Sequence, residues 1–351
     1  MSGPLPPALL PITIPLSLLY RGAMAARNAF YDRGMGITCL PVPVISIGNL
    51  STGGTGKTPL TAWAYRALRR MGHVPVIAMR GHGARPGEGA DEQAEYAERL
   101  PEAAIVARPN RAAALREVLP ATGGGVSGGT GREWPAIDCV LLDDGFQHRR
   151  LARDLNIVLI DAERDTFRDR LLPAGHLREP LTNLRRADAV IVTRAEVVDP
   201  ALEVTIAQYH GRPPLGWCRH DWAALDVHTR TTERKEVAWL RGKRLVIVLG
   251  VGHPASIERR LGREGAVTAA RFIMADHHRY TPRDVERLRA ASAGAEALFT
   301  TMKDWMKLRW LIDAVAWPVP IVVPDLRLEV HAGAVALEAR LREAARATLP
   351  R

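Results

Sequence analysis

Apolar residues in this chain fall into short continuous runs, and the stretches between them repeat apolar positions every three or four residues. That alternation is the mark of buried strands joined by covering helices. Residues 74–79, 105–107, 140–142, 157–160 and 189–193 read as strands, and 59–70 and 111–119 as helices between them. Continuous rather than alternating apolar runs imply burial on both faces, which predicts an α/β fold with a parallel sheet and helices on both faces. From 211 to 242 the alternation lapses into polar residues with Trp217, Trp222 and Val227 interspersed, as in a linker or hairpin between domains. It resumes at 245–249, turns through Gly250 to Pro254, and continues at 267–272, 298–301 and 321–323, predicting a second, smaller α/β domain. Residues 331–349 have helical spacing and can pack on either domain. The predicted organisation is an N-terminal region 1–40, a first domain 41–210, a linker 211–242, a second domain 243–330 and a C-terminal helix 331–351.

Within that frame, residues 44–60 read V-I-S-I-G-N-L-S-T-G-G-T-G-K-T-P-L: an apolar strand, a glycine-rich turn and a helix start. Glycines let backbone N–H groups crowd around phosphate oxygens, a lysine reaches the outer phosphates, and a hydroxyl serves Mg²⁺. Ser51, Thr52, Gly53, Gly54, Thr55, Gly56, Lys57 and Thr58 supply this cradle, although the strict phosphate-loop pattern has glycine where this chain has Ser51. The first domain is therefore predicted to be P-loop NTPase-like. A second chemical feature is V-L-L-D-D-G-F-Q-H-R-R at 140–150, an apolar strand ending in Asp143 and Asp144. Ligands of nucleotide-binding α/β folds sit at the carboxyl ends of strands, so these acids can hold Mg²⁺ directly or through water, or cap the following turn. The stretch 123–132, G-G-G-V-S-G-G-T-G-R, has no strong strand before it and no lysine to close it, and reads as a flexible surface insertion.

Near the start, residues 9–20 are rich in Leu, Ile and Pro and are followed by Arg21, Arg27 and Arg33. The segment is too short and proline-broken for a spanning helix and lacks the features of a signal peptide. Continued through Ala23, Met24, Ala26, Phe30 and Tyr31, it predicts an amphipathic helix suited to an anionic membrane surface or to packing on the protein's own core.

Composition adds outer limits. The chain has 351 residues, enough for two domains, and a formal net charge of +10, which favours an anionic partner: nucleic acid, anionic lipid or a phosphorylated substrate. Cys39, Cys139 and Cys218 are scattered and odd in number, with no C-x-x-C pair, so neither a disulfide framework nor a zinc site is indicated.

Taken together, these motifs resemble the tetraacyldisaccharide 4'-kinase family of lipid A biosynthesis over nearly the whole chain. The resemblance lies in P-V-I-S-I-G-N at 43–49, G-G-T-G-K-T-P at 53–59, M-R-G-H-G at 79–83, A-D-E-Q at 90–93, D-D-G-F-Q-H at 143–148, L-P-A-G-H-L-R-E-P at 172–180, D-H-H-R-Y at 276–280 and T-T-M-K-D at 300–304. D-D-G-F-Q-H followed by L-P-A-G-x-L-R-E-P is the most specific combination. The resemblance implies transfer of the ATP γ-phosphoryl group to the 4'-hydroxyl of tetraacyldisaccharide 1-phosphate, with Mg²⁺, at the cytoplasmic face of the bacterial inner membrane. It also implies Asp91 as proton acceptor, paired with His277 across an interdomain cleft, while Lys57 acts on the phosphates. Gln93 and Ala90 depart from the family's G-D-E-P, and A-D-E-Q-A-E-Y-A-E-R-L read by itself is an acidic helix start.

Other residues carry readings of their own. Arg178 can meet a phosphate and Glu179 can favour the following helix N-terminus, and Arg80, after a buried strand, suits a substrate or nucleotide phosphate or an ion pair. Thr301, Lys303 and Asp304 suit adenine or ribose contact, or helix capping. Two other classes compete with a membrane-surface lipid kinase: a nucleotide-driven switch, and a nucleic-acid-binding ATPase. The second lacks helicase-like motifs and aromatic stacking patterns, so neither nucleic acid nor an obligate protein partner is expected.

Overall fold

Continuous apolar runs become parallel strands wherever helices cover both faces, and the elements follow that rule. The computed structural model describes residues 6–81, 90–119, 126–127, 133–134, 136–252, 254–275 and 278–347. Helix α1 (Leu10–Asp32) precedes β1 (Val44–Asn49), α2 (Lys57–Arg70), β2 (Pro75–Met79), α3 (Ala90–Arg99), β3 (Ala104–Ala107) and α4 (Arg111–Val118). Next come β4 (Val126–Ser127), inside the stretch read as a surface insertion, and β5 (Glu133–Trp134), just past its end, which pair antiparallel. They are followed by β6 (Cys139–Asp143), β7 (Leu155–Asp161), β8 (Ala189–Thr193), α5 (Pro200–His210), β9 (Gly216–His228) and β10 (Thr232–Lys235). The remainder is β11 (Arg244–Leu249), α6 (Pro254–Arg263), β12 (Val267–Ile273), α7 (Pro282–Ser292), β13 (Ala297–Thr300), α8 (Met302–Leu308), β14 (Ile321–Ala332) and α9 (Ala334–Ala345).

Two compact units emerge. The first comprises Met1–Gly83, Leu100–Arg219 and Leu328–Arg351. Its parallel strands run in the order β3, β2, β6, β1, β7, β8, with the first residues of β9 adding to β8. Every residue of β1, β6 and β7 is buried. Val44, Val76, Ala78, Val140 and Leu142 share one cluster with Ala112, Ala114 and Leu115 of α4, while α2 and α9 pack against β1. Consequently the carboxyl ends of β6, β1 and β7 lie side by side, where ligands of such sheets sit.

The second unit comprises Ala84–Arg99 and His220–Arg327. Here β12, β11, β13 and β14 pair in parallel around a core of Leu245, Ile247, Leu249, Phe299 and Val322, and β10 pairs antiparallel with β9. Asp304 is fully buried and accepts from the Gly250 amide (2.9 Å), the Tyr280 hydroxyl (2.9 Å) and the Thr301 hydroxyl (2.8 Å). Of the two readings of Thr301 and Asp304, capping of α8 is therefore the one observed.

Three expectations need correction. The segment 211–242 is no linker: it holds β9 and the β9–β10 hairpin, and the chain passes between units inside β9 and again inside β14. Helix α3, expected in the first domain with Asp91, belongs to the second unit. It packs on α8, and Arg99 Nη1 donates to the Leu326 carbonyl at 2.9 Å. Nor do prolines break α1, which runs 23 residues through Pro15. Pro15 forfeits one i→i−4 bond, that to the Pro11 carbonyl, and the helix continues past it. No helix among the described residues is long and apolar enough to cross a membrane.

Candidate active site

Two glycines shape the phosphate loop. Gly53 and Gly56 adopt φ of +90° and +84°, values that β-carbon-bearing residues rarely take, and Gly56 is the residue from which α2 starts. No side chain caps α2, so the amides of its first turn are left for an anion at the positive end of the helix dipole. Gly53 and Gly54 are exposed, whereas Thr55 is buried with its hydroxyl bonded to Asn49 Nδ2 at 2.8 Å. Ser51 and Thr52, where the motif departs from the strict pattern, are braced from outside. Ser51 bridges antiparallel to Leu177, the Thr52 amide donates to the His176 carbonyl (2.8 Å), and the Arg178 amide donates to the Leu50 carbonyl (2.7 Å).

That brace carries Arg178 to the end of β6. Its Nη1 donates to both carboxylate oxygens of Asp144 at 2.8 Å, and Lys57 Nζ lies 3.6 Å from Asp144 Oδ1. Lys57, Asp144 and Arg178 are thus brought together. Strand alternation does not decide which acid faces the loop, because β6 ends at Asp143 and Asp144 has already turned out of it with φ +47°. Asp143 Oδ1 accepts the Asp144 amide at 2.8 Å, and its carbonyl accepts from Arg111 Nη1 at 2.7 Å. Burial pushes the Asp144 carboxyl up, but Lys57, Arg178 and Arg111 together hold it below the usual carboxylate range. Thr58 is the second residue of α2, and it, Asp143 and Asp144 carry only oxygen donors, the type a hard divalent cation takes.

Other predicted residues fall elsewhere. Glu179 is fully buried and does not present its carboxylate to the surface. Its Oε2 accepts from Arg186, Asn183 (2.7 Å) and Asn28 of α1 (3.4 Å), so its observed partners are structural. Arg80 is exposed at the carboxyl end of β2, and its charge is felt by Arg111. Asp91 stands in the first turn of α3 in the second unit, its side chain outside the described residues, and His277 lies outside them altogether. All three cysteines are free thiols.

Sequence reading missed several contributors. Arg111 is buried beneath the paired acids, and Gln147 links Asn49 at the end of β1 (2.9 Å) to Arg178 (3.4 Å). His148 has a buried Nε2 with no hydrogen-bond partner among the described residues. Burial, then the charges of Arg111, Arg153, Arg150 and Arg27, push its pKa down to about 3. Only Gln147 and His148 had a visible signal, as members of D-D-G-F-Q-H.

Helix α1 is amphipathic in an inverted sense. Thr13, Ser17 and Asn28 face inward, while Ile12, Leu18 and Leu19 are 62, 62 and 72% exposed. Polar bonds dock it: the Tyr20 hydroxyl donates to the Arg178 carbonyl (2.7 Å), and Arg149 donates to the Asn28 carbonyl (3.0 Å).

Known proteins share this arrangement of sequence and fold. A family model described as Tetraacyldisaccharide-1-P 4'-kinase matches residues 9–345. A tetraacyldisaccharide 4'-kinase of Anaeromyxobacter dehalogenans is 35% identical over 349 residues, covering 92% of this chain and 87% of the relative. One from Geobacter sulfurreducens is 36% identical over 321 residues, covering 85 and 83%. Among solved structures, that of LpxK from Aquifex aeolicus in complex with ATP is similar with a TM-score of 0.67 and 27% identity, covering 94% of this chain and 98% of that one.

Proposed function

The chain belongs to the tetraacyldisaccharide-1-P 4'-kinase family, and from that membership we propose that it phosphorylates the 4'-hydroxyl of a tetraacyldisaccharide 1-phosphate with ATP, a step of lipid A synthesis. One observation carries the reading: Lys57 and Arg178 converge on Asp144 beside an uncapped, glycine-rich helix entrance. Phosphoryl transfer has a loose transition state, so catalysis consists mainly of positioning and charge neutralisation. The loop amides and Lys57 bind the phosphates, and Arg178 adds a second cation. Thr58, Asp143 and Asp144 would hold Mg²⁺, which when bound neutralises charge on the phosphate oxygens. A bond forms between the sugar 4'-oxygen and the γ-phosphorus as the bond from that phosphorus to the bridging oxygen breaks, and ADP leaves. The hydroxyl proton passes to Asp91, with His277 as its partner, an assistance typically worth about 10²–10⁴-fold.

Helix α1 brings this chemistry to a lipid. Its outward Ile12, Leu18 and Leu19 can enter the acyl boundary of an anionic bilayer while its polar stripe docks next to Arg178 and Glu179. The protein then works from the cytoplasmic face of the inner membrane as a peripheral enzyme, without nucleic acid or an obligate protein partner. Incubation with γ-labelled ATP, Mg²⁺ and detergent-dispersed tetraacyldisaccharide 1-phosphate should put the label into a doubly phosphorylated lipid. Label released only as inorganic phosphate would sink the kinase reading and favour an ATP-driven switch.

A further inference from the structure

The phosphate loop is also held from the side of β7 and β8. Asp161, the last residue of β7, is 1% exposed, and two arginines converge on it. Arg194 follows β8 directly. Its Nε donates to Asp161 Oδ1 at 2.9 Å and its Nη2 to Oδ2, and the same Nη2 reaches the Gly54 carbonyl at 2.6 Å. Arg164 lies 3.4 Å from Asp161 through Nε and donates from Nη1 to the Thr52 carbonyl at 2.8 Å. Between them the Thr193 hydroxyl donates to the Thr55 carbonyl at 2.8 Å. Arg194 also has φ +55°, an unusual backbone for a residue with a β-carbon, and such conformations persist where surroundings impose them and a site uses them.

In a trans peptide the carbonyl of one residue and the N–H of the next point in opposite directions. Donors that seize the carbonyls of Thr52, Gly54 and Thr55 therefore turn the amides of Gly53, Thr55 and Gly56 the other way. A glycine-rich loop lacks side chains to fix its own peptide orientation, so an external clamp decides it. Gly53 fits the same scheme, because a β-carbon there would stand 2.9 Å from the Arg164 guanidinium.

We propose that Asp161, Arg164 and Arg194 are positioning residues: a carboxylate-anchored pair of guanidinium groups that orients the loop amides toward the phosphate tail of a nucleoside triphosphate. The proposal rests on the reading of Gly53 to Thr58 as a triphosphate cradle. Its reach is ground-state binding as well as turnover, so loss of the clamp raises the KM for ATP and the Kd for ADP together and leaves the KM for the lipid acceptor alone.

The test measures ADP affinity by calorimetry, steady-state constants for both substrates, and thermal unfolding, for wild type, Arg194→Met, Arg194→Lys, Arg164→Met and Asp161→Asn. Arg194→Met should weaken ADP binding at least tenfold with the acceptor KM within twofold of wild type. Arg194→Lys keeps the charge but loses the planar fork that spans both Asp161 oxygens and the Gly54 carbonyl, and should restore only part of that loss. Should Asp161→Asn fail to fold, Arg164→Met, altered at a partly exposed side chain, gives the same readout. ADP affinity unchanged in Arg194→Met and Arg164→Met, whatever happens to the melting temperature, overturns the clamp while leaving the kinase reading intact. Wild-type protein that binds no ADP removes the cradle and the clamp together.

Discussion

Replacing Asp144 by asparagine separates what this carboxylate does for stability from what it does for chemistry. Its Oδ1 lies 2.8 Å from Arg178 Nη1 and 3.6 Å from Lys57 Nζ, with side chains 27, 27 and 15% exposed. At an effective dielectric of about 20 each attraction is worth roughly 4–6 kcal/mol before desolvation and side-chain ordering are subtracted. Exposed pairs end near 0.2–1 kcal/mol and broken buried ones near 3–5, so a net loss of about 1–2 kcal/mol is expected here. For a domain of this size that lowers Tm by roughly 2–8 °C. The carboxyl, ordinarily at 3.8, is held lower in the folded protein, so its contribution is complete above the unfolded value and disappears as pH falls through the folded one. Turnover should fall further, by about 10²-fold or more, because the variant loses a carboxylate that would hold Mg²⁺, the ion that neutralises charge where phosphoryl oxygens gather. The sign of nucleotide binding is diagnostic as well. In EDTA, ATP should bind the variant as well as wild type or better, since Lys57 and Arg178 are released from their counter-ion, and excess Mg²⁺ should reverse the order. Calorimetric melting, titration with and without Mg²⁺, and initial rates supply the data. Turnover within threefold of wild type would refute the reasoning.

Lys57→Ala should weaken ADP binding and turnover at least tenfold each, checked by calorimetry and initial rates, because the ammonium acts on bound nucleotide and transition state alike. Asp91→Asn should cut turnover by about 10²–10⁴-fold with ADP affinity within twofold, and a loss confined to ADP binding would relocate that carboxylate's role. His148, with its pKa pushed down to about 3 against an ordinary value of 6.5, should show no ring-proton titration by NMR between pH 5 and 8. Because the unfolded chain takes up that proton first, the histidine lowers stability as pH falls below about 6.5, and His148→Gln should flatten the slope. Leu18→Ser with Leu19→Ser should reduce cosedimentation with anionic vesicles at least tenfold, each buried leucine being worth about 1.5–3 kcal/mol, and unchanged sedimentation would remove α1 as the contact.

What was legible in the sequence was local. Residues 44–60 announce strand, glycine turn and helix because each signal sits beside the next, and Asp143 and Asp144 were visible as acids ending an apolar run. Asp161 and Arg194 also end such runs, but their meaning depends on β7 and β8 lying next to β1, a matter of strand order that no local pattern states. The polar content of 211–242 hid a long strand, since β9 past Cys218 mixes buried positions with part-exposed ones, three of them, Arg219 to Asp221, in a row. In α3 the acidic helix start gave no hint of packing on α8, so its unit could not be read. Helix α1 was recognisable as amphipathic, yet which face docks was not: Thr13, Ser17 and Asn28 look like a solvent stripe but are buried, Asn28 against Glu179 and Arg149.

The central claim is that the loop from Gly53 to Thr58 grips a triphosphate and delivers its terminal group to a lipid-borne alcohol. Parallel measurement of ADP released and doubly phosphorylated lipid formed, with and without tetraacyldisaccharide 1-phosphate, tests it most directly. The account predicts one ADP per phosphorylated lipid and negligible ADP without the acceptor. ADP release that proceeds at the same rate whether or not the lipid is present would contradict it.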